Sequence, residues 1–228
     1  MRPLLDAAVL DNPVWASLTG VHADLAETVG GAARYLPDVA PHAALRDETD
    51  PRAWHDLRRL AGAGREVALA GVSAVPAGWD VVETLHGVQF VATALRAEPD
   101  PAAVRLGPAD VPEMLELVRR TNPGPFRPRT VELGTYLGIR RNGALVAMAG
   151  ERLRPPGWTE ISAVCTDAAH RGQGLATRLI GAVAAGSYGR GDTPFLHTTA
   201  ANVNAIRLYE SLGFTLRTAT RFLVVRSR

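Results

Sequence analysis

Residues 134–166, "GTYLGIRRNGALVAMAGERLRPPGWTEISAVCT", constrain the fold more than any other stretch of this chain. Asn142-Gly143 in "RRNGAL" suits a hairpin turn with positive φ at both central positions, and "RPPGW" is a second turn. The runs between them are apolar and of strand length. They predict three consecutive antiparallel strands, about 134–140, 144–153 and 158–166. Immediately afterwards "HRGQGLATRLI", residues 170–180, sets two glycines and an arginine in front of an apolar helical pattern that runs from near Gly172 to about Ala185.

The flanking sequence supplies further elements. "NPVWASLTGVHADLAETV", from Asn12, opens with a capping asparagine and a first-turn proline and carries Val14, Trp15, Leu18, Val21, Leu25 and Val29 at helical spacing. A helix is expected there, and a second over "DPRAWHDLRRLAG", capped by Asp50 and closed by Gly62. "EVALAGV" (66–72) and "GVQFVATAL" (87–95) read as strands. Residues 1–96 therefore form an α/β half without a chemical motif, and "RAEPDPAA" (96–103) is the expected linker to a second unit over 102–228. That unit begins with a short strand and a helix opened by Asp110. It continues after the glycine-rich turn with a strand at "FLHTT", a helix over "NVNAIRLYESLG" ending at Gly213, and two closing strands in "FTLRTATRFLVVR".

Composition removes several function classes. All 25 basic residues are arginine, so a lysine Schiff base and a lysine-bearing phosphate loop are excluded. The net charge is +2 with no basic run, which speaks against nucleic acid as a partner. A single cysteine, Cys165, excludes an intrachain disulfide framework and a cysteine zinc cluster, and no metal site is expected. The amino-terminal "MRPLLDAAVLDNPVW" reads poorly as a signal peptide, and no run approaches the roughly 18 apolar residues of a membrane span. The expectation is a cytoplasmic protein without a membrane partner.

A strand, a short loop and a helix whose first turn is "RGQGLA" make an anion site. The first N–H groups of a helix lack intrahelical partners and sit at the positive end of its dipole. Phosphate is the natural occupant. Gly172 and Gly174 let a ligand approach the main chain, Arg171 adds a charged donor, and Ala176 keeps the helix near the sheet. A dinucleotide fingerprint fits badly, because Thr177 stands where glycine or alanine is needed and Asp192 falls in a turn.

Arg171-x-x-Gly174-x-Ala176, preceded by a β-meander and followed by "NVNAIRLYESLGF" (202–214), resembles the GNAT superfamily of acyl-CoA N-acyltransferases over roughly residues 102–228. The resemblance implies an α/β (α+β) fold: a mixed, mostly antiparallel central sheet flanked by helices. It implies acetyl-CoA as co-substrate, a small-molecule or peptide amine as acceptor, and direct transfer in a ternary complex. By the same resemblance the main chain of Arg171, Gly172, Gln173, Gly174, Leu175 and Ala176 holds the pyrophosphate. Val164, Cys165 and Thr166 pair with the pantetheine arm, the Asn202 side chain hydrogen-bonds it, with a plain helix N-cap as the alternative role, and Ala205 is a further cofactor-binding position. Tyr209 matches the general acid; a phenol with a pKa of ~10 is protonated at neutral pH.

Glu160, on the strand leading to the cofactor, is the first choice for the general base, with a raised pKa if desolvated; Glu151 and His197 are the alternatives. Strict alternation groups Glu160 with Ser162, Val164 and Thr166, a parity that a bulge would spoil. Cys165, mid-strand, is expected to pack rather than to carry an acyl group. Residues 1–96 loosely resemble the front half of the glycine N-acyltransferase-like branch, where "YLPDVAPHAAL" (35–45), Trp15, Trp54 and Trp79 would shape the acceptor site. Dimerisation is frequent among relatives, so a homodimer is compatible with the resemblance. The rival reading is a non-catalytic acyl-CoA-binding or sensor module.

Overall fold

The computed structural model describes residues 6–228; residues 1–5 of the amino-terminal stretch read as unlike a signal peptide lie outside the described residues. In chain order the elements are α1 (Pro13–Leu18), β1 (Ala26–Val29), β2 (Ala32–Tyr35), β3 (His42–Leu45), α2 (Pro51–Ala61), β4 (Glu66–Ala70), β5 (Trp79–Ala92), β6 (Ala103–Leu106), α3 (Val111–Thr121), β7 (Tyr136–Arg141), β8 (Ala144–Glu151), β9 (Trp158–Thr166), α4 (Leu175–Gly189), β10 (Thr193–Thr199), α5 (Val203–Ser211) and β11 (Phe214–Ser227). The strands form one sheet in the order β1-β2-β3-β4-β11-β5-β10-β9-β8-β7-β6. Its pairs are antiparallel except β3–β4 and β9–β10. The mixed, mostly antiparallel sheet flanked by helices is the fold the resemblance implied.

The linker after residue 96 joins two parts of that single sheet. β5, from before it, lies between β10 and β11, from after it. α4 packs on β8 and β9 from one side through Leu175, Leu179, Ile180 and Val183, against Val146 and Ile161. α3 packs on the same two strands, hence from the other side, through Met114 and Leu117 against Met148 and Cys165. α1 seats Val14 and Leu18 with Tyr35, Trp158 and Phe195, which ties the amino-terminal strands to β9 and β10.

Two expected elements are corrected. The helix from Asn12 ends at Leu18, and Ala26–Val29 instead pairs with Ala32–Tyr35 across Gly30-Gly31, where Gly30 takes φ 53°. The β-branched Thr28 and Val29 and a turn that glycine alone adopts easily outweigh the helical spacing. The two closing strands are one, β11, in which Arg217 is an extra residue between Leu216↔Phe90 and Thr218↔Gln89. A bulge thus looks like a break in the sequence.

Candidate active site

β9 and β10 pair only over their first residues, from Trp158↔Thr193 to Glu160↔Phe195. Beyond that point β10 keeps β5 as far as Thr199↔Gly87, whereas β9 keeps β8 alone. From Ile161 onward β9 thus has no strand on its β10 side among the described residues, and a cleft of about 1050 Å³ opens there. β9 is also bulged: Met148 opposes Cys165 and Gly150 opposes Ser162, so β9 holds one residue more, and Ala163 takes φ 52°. The bulge changes parity along the strand. Ile161 and Val164 pack toward α4, Ala163 and Cys165 toward α3.

At one end of the cleft the wall is main chain. Gly172 (φ 74°) and Gly174 (φ 71°) take conformations that L side chains avoid, and a Cβ built on either meets nothing within 4 Å. The space above them is open. Among the described residues no side chain caps the start of α4 at Leu175, and none partners the buried Oγ1 of Thr166 on the cleft wall. An uncapped helix start, an unpaired strand flank and an orphaned hydroxyl suit a ligand with a diphosphate and an amide-bearing arm. Val164, Cys165, Thr166, Arg171, Gly172, Gly174, Leu175, Ala176, Asn202, Ala205 and Tyr209 all line this cleft, and Gln173 is exposed in the turn beside it.

Individual groups here have definite states. Asn202 caps α5, its side chain accepting from the Ala205 N–H at 3.2 Å. Tyr209 packs against Phe90 and Phe214, and burial pushes its phenol up to about 12, so it stays protonated. Burial also pushes the Cys165 thiol up to about 11, so it is a packed thiol rather than a nucleophilic thiolate.

At the other end the wall is side chain. Arg152, His197, His42 of β3, Glu83 and Leu85 of β5, and Arg127 line it. Behind them Glu160 is fully buried. Its carboxylate accepts from Arg152 Nε at 2.7 Å and Nη2 at 2.6 Å, and from His197 Nδ1 at 2.6 Å. Burial alone would raise its pKa. The Arg152 charge, the paired hydrogen bonds and His197 win, holding it well below the usual carboxylate range. The raised pKa expected of a desolvated Glu160 is thereby corrected.

His197 is held at both nitrogens. Gln89 is oriented by Arg217 Nη1, which donates to its Oε1 at 2.9 Å, and by the Leu10 carbonyl, which accepts from its Nε2 at 3.0 Å. The Gln89 Nε2 therefore donates to His197 Nε2, also at 3.0 Å, and the ring proton sits on Nδ1, facing Glu160. Arg217 is tied in turn to Asp11 at 2.5 Å. His42 is half-buried; burial, then the nearby Arg152 charge, push its imidazole down to about 3, so it is neutral.

Glu151 lies elsewhere, in a separate cavity of about 490 Å³, bonded to Arg190 at 2.5 Å and to the Thr135 N–H at 3.0 Å. Of the amino-terminal segment expected near the acceptor, Pro41 and His42 reach the cleft. Trp54 and Trp79 pack edge to face at 5.5 Å inside the core around α2, and Trp15 lies under Arg46. Sequence reasoning missed Arg152 and Gln89, and reached His42 only as part of the segment 35–45. One signal was available: Arg152 and Glu160 are opposite charges flanking the "RPPGW" turn, where a hairpin makes them neighbours.

Comparison with known proteins agrees with this geometry. A family model described as FR47-like protein matches residues 136–223. An acetyltransferase assigned to the GNAT family from Novosphingobium aromaticivorans has a solved structure that is 41% identical, with a TM-score of 0.87, covering 96% of this chain and 98% of that one. The chain belongs to the GNAT family of acetyltransferases. A GCN5-related N-acetyltransferase from Kribbella flavida shares the fold of this GNAT chain at 20% identity and a TM-score of 0.63, covering 96% and 95% of the two chains. Among curated proteins, the N-alpha-acetyltransferase RimI of Mycobacterium tuberculosis is 35% identical over 82 residues, 35% of this chain and 51% of that protein. An uncharacterized protein of Mycobacterium leprae is 30% identical over 161 residues, 64% of this chain and 44% of that one. The chain thus matches about half the length of these two curated relatives. Among the described residues, no helix is long and apolar enough to cross a membrane, and no cluster of histidine, cysteine or carboxylate side chains could hold a metal ion.

Proposed function

We propose that this GNAT protein transfers an acetyl group from acetyl-CoA to a primary amine by direct attack in a ternary complex. The observation that carries the reading is the gap between β9 and β10, which ends on the uncapped, glycine-lined start of α4. The main chain from Arg171 through Gln173 to Ala176 would hold the pyrophosphate, and Val164–Thr166 would pair with the pantetheine amides as an added strand pairs. Asn202 and Ala205 would border that arm. When bound, acetyl-CoA supplies an acyl group activated as a thioester.

Tyr209 keeps its phenolic proton at neutral pH and is the group assigned to donate to the departing sulfur as the C–S bond breaks. The proton that the attacking nitrogen sheds on becoming an amide passes to solvent, from which the phenolate is reprotonated. Cys165, a buried thiol, takes no part in covalent transfer. Glu160 is assigned a positioning role, holding Arg152 and His197, because an ion-paired carboxylate with a depressed pKa accepts a proton poorly. The acceptor then enters as the free amine, its proton lost to solvent in the open cleft. kcat/KM is accordingly expected to rise with pH through the acceptor's own ammonium pKa.

The test is acetyl-CoA-dependent release of coenzyme A thiol against amino acids, polyamines, aminoglycosides and peptides. Amine-dependent release is expected, with a raised donor KM in Arg171→Ala and a lowered kcat in Tyr209→Phe. Tight acetyl-CoA binding without release from any amine would replace this reading by a binding module, and absence of acetyl-CoA binding would end both.

A further inference from the structure

Arg152 is a cation buried at the acceptor end, its side chain 14% exposed. Nε and Nη2 are spent on Glu160, but Nη1 bonds no described residue and is not among the buried partnerless atoms, so it is open to the cleft that Arg152 lines. A guanidinium offers five N–H donors in a rigid planar fork, and here one edge is fixed while the other faces the space the acceptor must occupy. The fixing runs deep: Glu160 is held by His197, His197 by Gln89, and Gln89 by Arg217 and the Leu10 carbonyl.

A buried ion pair is weak as a stability device, since apolar residues of similar volume often serve as well or better. The arrangement makes sense if the free edge of Arg152 has a partner. On the rim, the Arg127 side chain has no partner among the described residues, and Glu83 is the single carboxylate among the lining residues. Glu160 balances the Arg152 charge and Glu83 is opposite in sign to Arg127, so what Nη1 offers is one directed N–H donor edge, which suits the oxygen of a carboxylate rather than a phosphate dianion.

We infer that the acceptor is an amine that also carries a carboxylate, and that Arg152 Nη1 receives that carboxylate at the floor of the cleft. This rests on the acyl-transfer reading and adds the class of acceptor. Arg152 is then a specificity residue that touches substrate, and Glu160, His197 and Gln89 are positioning residues behind it.

The experiment compares kcat/KM for acid and amide partners, β-alanine against β-alaninamide and 4-aminobutyrate against 4-aminobutyramide, with acetyl-CoA as donor. The wild-type protein is expected to favour each acid by about tenfold, the equivalent of one charge-assisted contact. The double variant Arg152→Gln/Glu160→Gln removes both charges at similar size, and its acid-to-amide ratio is expected to fall to about one with donor KM unchanged. Butyrate, lacking an amine, should compete with the acceptor in the wild-type protein where butyramide does not, a readout independent of how any variant folds. Equal use of acid and amide by the wild-type protein would overturn the inference, as would equal loss for both partners in the double variant, which would put Arg152 on the thioester instead. Release from none of these four, or from the amides alone, while another amine of the wider panel is acetylated removes only this inference, whereas release from no amine of that panel removes acyl transfer itself.

Discussion

The two ends of the cleft are made of different materials. The glycine-lined end is main chain: an unpaired flank of β9, the first turn of α4, and two glycines at positive φ. Its one charged side chain, Arg171, is exposed. The other end, proposed above to take the acceptor, is side chain: a buried Arg152–Glu160 pair, two imidazoles and an oriented glutamine, drawn from β3, β5, β9, β10 and the turn after β8. A site of peptide groups tolerates substitution wherever no Cβ intrudes. A site of paired charges loses stability and recognition together when one partner goes.

Arg152→Leu should have the largest effect, because it leaves Glu160 buried without its counter-ion. Removing one partner of a buried pair costs ~3–5 kcal/mol. For a chain of this size each kcal/mol moves the melting temperature by about 2–4 °C. A fall of about 10 °C in a thermal melt is expected, and a fall below about 2 °C would mean that the acceptor end is as replaceable as the other. Tyr209→Phe, between the two ends, should lower kcat by about 10²–10³, within the range for loss of a general acid. The ring stays packed against Phe90 and Phe214, so the melt and the donor KM should hold. A parallel rise in donor KM would make Tyr209 a binding residue instead.

Gly174→Val is the matching test of the main-chain end. A branched side chain at φ 71° costs ~1–2 kcal/mol in the turn and fills space that is now open. Calorimetry should show acetyl-CoA binding weakened by about tenfold, with acceptor KM little changed. Unaltered donor affinity would remove the turn from the binding site.

This division also explains what the sequence disclosed. Main-chain sites announce themselves locally: Gly172 and Gly174 ahead of an apolar helix, Asn142-Gly143 in a turn, and the run from Asn202 to Tyr209 were legible because each motif is contiguous. The bulge at Ala163 was foreseeable only as a possibility, since no glycine marks its positive φ. The acceptor wall was hidden because topology assembles it. β5 enters the sheet between β10 and β11, and that insertion brings Gln89 to His197 across 108 positions of sequence. Glu160 was found, but its state was misjudged, because burial argued for a raised pKa and the counter-ion became visible only when the hairpin closed. The short strand β1 was lost to a coincidental helical spacing, and β2 and β3, only four residues each, went unread.

A further expected effect is one of pH, and it too divides the molecule. His22 is 4% exposed, with its Nδ1 at 2.8 Å from the Tyr35 hydroxyl and its Nε2 at 3.0 Å from the Leu133 carbonyl, beneath the acceptor end. Burial pushes it down to about 4, from about 6.5 in an unfolded chain. Below pH 6.5 the unfolded chain binds a proton that the folded one refuses. Stability therefore falls as pH drops from about 6.5 toward 4, by up to ~1.4 kcal/mol per pH unit, and is flat above. Glu160 acts in a lower window: its depressed pKa contributes stability above about 4.3, lost only as pH falls further. Melts between pH 7 and 5 should show a slope that His22→Gln reduces, with His42 supplying the remainder. On the cofactor wall Tyr209 and Cys165 are shifted upward and stay neutral over that range, which leaves His170, 3.8 Å from Asp167, as the histidine beside the turn, so acetyl-CoA affinity should fall less than the melting temperature. If affinity and melting temperature fell in step, the two ends would be one cooperative unit rather than two walls of different make.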